Sequence, residues 1–244
     1  MSGQFLADDI QPGLHHTATL FGLTFNVDTI LSTVIAGLIV IGLGLWVAKS
    51  ASAKAPSRTQ LAFESITDYA EAQVEGTLGI KTAPFVVPLA MALFLFILIA
   101  NWLAVIPTPG HPEYLPPAAA DVNLTYALAL VVIVTMHFTG VRRKGVRGYY
   151  HHMFQPHWAM FPINLIEELA KPVTLALRLF GNIFSGTIMI SLIALFPAYI
   201  LWGPNVVWKT FDLFIGAIQA FIFALLTVLY FASIAPSPEE KAAH

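Results

Sequence analysis

Apolar residues dominate three stretches of the chain, Thr29 to Ala48, Pro84 to Ile106 and Val122 to Gly140. Each has the length of one membrane crossing, for which a helix needs about 20 residues. Two later runs, Pro162 to Pro197 and Val206 to Ala235, are longer. At 1.5 Å per residue each makes a helix of roughly 45–55 Å, against a hydrocarbon layer about 30 Å thick. Such lengths predict strong inclination or bending, and Pro172 predicts a kink in the first of the two. The prolines at 197 and 204 predict the break between them.

Between the first two spans the pattern changes. From Gln60 to Leu78, Phe63, Ile66, Tyr69, Ala70, Val74 and Leu78 recur at helical spacing, with Glu64, Asp68, Glu71 and Glu75 elsewhere on the wheel. This predicts an amphipathic helix on the membrane surface or against a partner. Its acidic polar face favours packing on protein over binding to anionic lipid. The expected fold class is an all-α integral membrane protein with three ordinary spans, a surface amphipathic helix and a C-terminal hairpin of two long, steeply inclined membrane helices. In one membrane domain this gives an outer segment 1–28, spans 29–48, 84–106 and 122–140, loops 49–83, 107–121 and 141–160, the hairpin 161–235 and a tail 236–244.

Composition supports the choice of bilayer as solvent. Apolar residues are 57% of the chain and charged ones 11%, whereas about a quarter of an average soluble protein is charged. A net charge of −2 speaks against nucleic-acid binding, and the absence of cysteine removes disulfides and thiolate chemistry. Met1 to His16 carries acids and no Lys or Arg cluster ahead of an apolar core, unlike a cleaved signal, so the first run is expected to stay as a span. Lys49, Lys54 and Arg58 follow the first span, and Arg142, Arg143, Lys144 and Arg147 follow the third. Cytoplasmic loops are enriched in such cations. The alternation therefore predicts an outer N-terminus and a cytoplasmic C-terminus.

The most expensive residue in this setting is Arg178, inside an apolar run. Its charge cannot be shed, and at mid-bilayer it costs roughly 2.5 to 17 kcal/mol. Glu167, Lys171, Thr174, Gly181, Asn182 and Ser185 all fall within about 60° of it on a helical wheel, so one face of this helix is polar. A snorkelling side chain or a static internal ion pair is the plain alternative, but polar residues inside spans usually face functional cavities. A buried cation attracts a carboxylate that must lose its proton, lowering its pKa by roughly 1 to 3 units. Glu167 and Glu168 lie towards the inner end and Asp212 and Asp121 towards the outer end, none level with Arg178. The missing anion is expected on another subunit.

The stretch Glu168-Leu-Ala-Lys-Pro-Val-Thr-Leu-Ala-Leu-Arg-Leu-Phe-Gly-Asn182 resembles the signature of subunit a of the rotary F-type ATP synthase, and Gln219 to Tyr230 resembles that subunit's final helix. Ala120 to Asn123 and Asn101 to Pro107 extend the likeness over most of the chain. The resemblance implies a bacterial plasma-membrane proton-channel stator whose Arg178 faces a ring of carboxylate-bearing c subunits, held by b-type peripheral-stalk subunits. It implies two half-channels, with Asp212, Thr187 and Asp121 in the outer one and Glu167, Glu168, Lys171 and Tyr230 in the inner one. Gln219 would position Arg178, and Thr187 and Asn182 would be hydrogen-bonding neighbours of Asp212 on the entry side. The family's better-studied bacterial members carry glutamate at the position of Thr187 and histidine at that of Asp212. Here Asp212 alone is expected to supply the titratable group for proton uptake.

Antiparallel helices at equal depth have residue numbers with a near-constant sum. Arg178 with Gln219 gives 397 and Thr187 with Asp212 gives 399, centring the turn near residue 199. Thr187 lies 900° around the helix from Arg178, on the opposite side, so this match concerns depth alone. No phosphate-cradling glycine loop, dinucleotide fingerprint or nucleophile–base pair is present, so no cofactor or ATP site is expected on this chain. His151, His152 and His157 lack an accompanying carboxylate cluster and do not indicate a metal site, and His137 reads as a packed or interfacial residue. The rival reading, a secondary transporter using the Arg for an anionic substrate, would call for internal duplication, which the sequence does not show.

Overall fold

The computed structural model describes residues 17–20, 23–52, 56–77, 84–103, 122–151, 161–197 and 199–232. Among the described residues six helices follow a short antiparallel hairpin: β1 (Thr17–Leu20), β2 (Leu23–Asn26), α1 (Val27–Ser50), α2 (Arg58–Thr77), α3 (Val86–Leu103), α4 (Val122–His151), α5 (Phe161–Ile193) and α6 (Trp202–Ala232). The hairpin pairs Thr17 with Asn26 and Leu20 with Leu23. It adds a small strand pair to what is otherwise an all-helical membrane protein. Among the described residues, Val27–Ser50, Val86–Leu103, Asn123–Arg143 and Trp202–Ala232 are long and apolar enough to cross a membrane. Asp121, the 107–121 loop and the 236–244 tail lie outside the described residues.

In lipid there is no hydrophobic drive between helices, so close packing between small residues must hold them together. The buried positions follow that rule: Ala36, Ala90, Ala100, Ala129, Ala176 and Ala220 all lie at helix contacts. Larger side chains fill the space around them. Val74, Val86, Met136, Val228 and Phe231 form one cluster, and Leu93, Ile97, Val132 and Phe223 another. The central pair is α3 and α6, which share the largest helix–helix contact.

The amphipathic helix α2 covers this chain's own helices. Val74 is fully buried in the cluster with Val86 and Phe231, and the Tyr69 ring lies 5.6 Å from that of Phe221 on α6. Its start is set by Ser57, whose Oγ accepts from the Gln60 backbone N–H at 3.2 Å and whose carbonyl accepts from Leu61 N–H at 2.9 Å. This is the N-cap arrangement a Ser ahead of a helix favours. The Gln60 side chain accepts from Ser52 N–H at 3.0 Å and donates to Glu64 at 2.7 Å, tying the α1–α2 connection to the helix.

One helix differs from its sequence pattern. α4 continues to His151 rather than ending at Gly140, broken at Gly145 with φ 69° and ψ 160°. That positive φ is readily open only to glycine, and the bend brings the Tyr149 ring against Gly140. α5 runs as one helix through Pro172. Between α5 and α6 the turn is closed by Phe196 N–H to Ile193 O at 3.0 Å and Ile200 N–H to Pro197 O at 2.9 Å. Pro204 falls in the first turn of α6, where a missing N–H costs no helical bond.

Candidate functional site in the C-terminal hairpin

The backbone of α5 carries Glu167, Glu168, Lys171, Arg178, Asn182 and Thr187 along a helix of 33 residues. Its buried side is marked by Ala176, Gly186 and Ile193. On the wheel these lie roughly 60° to 160° from Arg178 in one sense. The described members of the polar stripe lie the other way. Thr174, Gly181 and Ser185, within about 60° of Arg178 in the opposite sense, are all exposed. A Cβ added at Gly181 would meet nothing within 4 Å. The polar face of α5 therefore opens away from the rest of this chain, flanked by exposed Leu177 and Ile188.

α6 turns its polar positions the other way. Gly216, Gln219, Phe223 and Thr227 are buried, and Asp212, Gly216, Gln219, Phe223 and Tyr230 share one face, all within about 40° of Asp212. Thr227 satisfies its hydroxyl by donating to the Phe223 carbonyl at 2.9 Å. Asn101 of α3 donates from Nδ2 to the Gly216 carbonyl at 3.3 Å, and Trp102 donates from Nε1 to Leu213 O at 3.2 Å. Asn101 is not among the functional positions that the sequence pattern indicates. Its signal was a lone amide near the end of an apolar run, which needs a partner when buried. Asn101 Oδ1 and Gln219 Nε2 are buried without a hydrogen-bond partner among the described residues.

One contact fixes the depth of the two arms. Asp212 Oδ1 lies 3.5 Å from where a Cβ on Gly186 would sit. This pairing sums to 398 and places Asp212 beside the residue preceding Thr187. Extended along two helices of equal rise, it sets the Arg178 backbone level with Ala220, one residue from Gln219. The structure thus brings buried Gln219 and Asn101 and partly buried Asp212 into one strip along α6 and α3 and puts Thr174 and Ser185 on an open face of α5. Tyr230 packs lower on α6, partly buried against both hydrophobic clusters.

Comparison with known proteins gives this arrangement a context. The sequence model of the ATP synthase A chain family matches residues 30–232. A curated relative from Acidothermus cellulolyticus, named ATP synthase subunit a, is 56% identical over 93% of this chain and 83% of its own length. One of the same name from Mycobacterium bovis is 54% identical over 98% of this chain and 99% of its own. A more distant one from Bacillus velezensis, also of that name, is 35% identical over 88% of this chain and 95% of its own. With its six helices, buried amide strip and open polar stripe all inside or overlapping the matched region, the chain belongs to the ATP synthase A chain family.

Proposed function

We propose that this chain, a membrane-sector subunit of an ATP synthase, is the stator of the proton channel and couples proton flow to rotation of a c-subunit ring. The observation that carries this reading is the open polar stripe of α5, in which Thr174, Gly181 and Ser185 are exposed on the side of the helix that bears Arg178. A fixed cation on an outward face, with no carboxylate at its depth among the described residues, suits an anion that arrives from outside. A neutral acid is tolerable in lipid, whereas a bare carboxylate is not. A ring carboxylate would deprotonate beside Arg178, be stabilised there, and move on after taking up a new proton.

In this reading the N-terminus faces outward in a bacterial plasma membrane, and the cations after α1 and in α4 face the cytoplasm. Asp212, beside Gly186 and Thr187, supplies protons from the outer side, with Asp121 nearer the mouth. The unpartnered Asn101 Oδ1 and Gln219 Nε2 suit a hydrated path along α6. Glu167, Glu168, Lys171 and Tyr230 line release to the inner side. Arg178, as a fixed positive charge, keeps the two half-channels apart. Each charge crossing 100 mV releases about 2.3 kcal/mol, which the ring would carry to ATP-forming subunits elsewhere. The chain itself performs no ATP chemistry, and b-type stalk subunits would hold it against rotation.

The test is ATP-driven proton pumping in inverted vesicles carrying Arg178→Lys. Lysine's pKa falls readily on burial and its compact ammonium lacks the guanidinium fork, so pumping should be abolished while the complex still assembles. Near-normal pumping would overturn the proposal.

A further inference from the structure

The far end of α4 carries a concentration of chemistry that proton transfer does not use. The apolar window of this helix closes at Arg143, which sets Arg142 and Arg143 where hydrocarbon gives way to headgroups. Both are exposed, as is Arg147 beyond the bend. None of the three forms an ion pair among the described residues. The Arg142 guanidinium sits 5.4 Å over the Phe138 ring.

Two apolar side chains stand beside these cations in the open, Phe138 at 61% and Val146 at 63% exposure. Gly145 reverses the backbone between the two arms. The Tyr149 ring packs on Gly140 and lies 5.7 Å from the His137 ring. The segment after the bend is thereby held back along α4 instead of running free into water. Guanidinium groups stand on both arms of the bend, with an uncovered apolar side chain next to each arm.

We propose that this bend binds the headgroup of an anionic phospholipid. Guanidinium forks match phosphate oxygens in a bidentate fashion, and cations at this depth attract anionic headgroups. The uncovered Phe138 and Val146 select the source of the phosphate. A free inorganic anion makes no use of them, whereas a lipid lays its acyl chains against them while its phosphate meets the arginines.

The experiment uses the whole ATP synthase containing this chain, purified in mild detergent and titrated with phosphatidylglycerol or phosphatidylcholine. Bound lipid is counted by native mass spectrometry. Wild type should retain phosphatidylglycerol with roughly tenfold or greater preference at one site, as several surface cations acting together imply. The R142Q/R143Q/R147Q variant should lose that preference, and the corresponding triple lysine variant, with the charge but not the guanidinium fork, should keep only part of it. Should the glutamine variant fail to assemble, R147Q alone, beyond the bend, should still weaken retention several-fold. Equal retention of the two lipids, or unchanged retention in the glutamine variants, would refute the site. Displacement of the lipid by excess inorganic phosphate would make it a small-anion site and overturn the lipid assignment.

Discussion

The two arms of the C-terminal hairpin are nearly equal in length and opposite in how they handle polarity. α6 buries the polar positions of its second half: Gln219 and Thr227 face inward, and Gly216 receives the Asn101 amide. α5 leaves its polar stripe open, with Thr174, Gly181 and Ser185 exposed. A buried polar strip between helices is interhelical glue worth about 0.6 to 2 kcal/mol per contact. The exposed stripe of α5 lies outside such a packed strip among the described residues. The contrast shows that polarity inside a membrane is informative only with its direction. The inward strip joins helices, and the outward stripe is the face that the proposed function offers to a partner.

Substitutions on the two arms should separate accordingly. The largest effect belongs to the open arm: Arg178→Ala should abolish ATP-driven proton pumping, as Arg178→Lys should, a loss beyond the roughly 10- to 1000-fold that a carboxyl shift of 1 to 3 units represents. Pumping close to wild type would erase the distinction between the arms. At their point of contact, Asp212→Ala should lower passive proton conduction by about 10- to 100-fold, towards the low end of what a positioned acid–base group contributes. Conduction at the wild-type rate would remove Asp212 from the uptake path and leave it as an interfacial residue beside Trp208 and Lys209.

Smaller effects are expected inside the buried strip. Gln219→Leu should slow pumping several-fold, since it removes the buried amide that in the proposed function positions Arg178 and lines the hydrated path along α6, and a loss as complete as that of Arg178→Ala would show the buried arm to be equally functional. Gly216→Ala should act on stability: its Cβ would sit 3.0 Å from Asn101 Cβ. The crowding should cost about 1 kcal/mol, seen as a modest fall in the thermal stability of the purified complex with pumping retained.

Much of this was legible along the chain. The α5–α6 break between Pro197 and Pro204, the depth pairing near a sum of 398 and the polar stripe around Arg178 all follow from spacing, because helices keep a fixed rise and rotation. α2 was legible as amphipathic, yet its sequence left open what its apolar face covers. Val74 finds Val86 and Phe231 of the same chain, a choice made by packing. Gly145 gave no clear sign of a reversal in the sequence, since a glycine near a span's end reads equally as a stop. Asn101 was passed over because one amide in an apolar run does not name its partner.

By itself the sequence determined that the chain lives in a bilayer, where its helices run and which residues share a helical face, since hydropathy and the 3.6-residue period act locally. The tertiary structure decided which faces meet. α3 and α6 became the centre, α2 a cover for them, and the stripe on α5 an open surface. Those outcomes depend on small residues such as Ala220 and Gly186 allowing backbones to approach, and close packing of that kind is a property of pairs of helices that neither sequence segment carries alone.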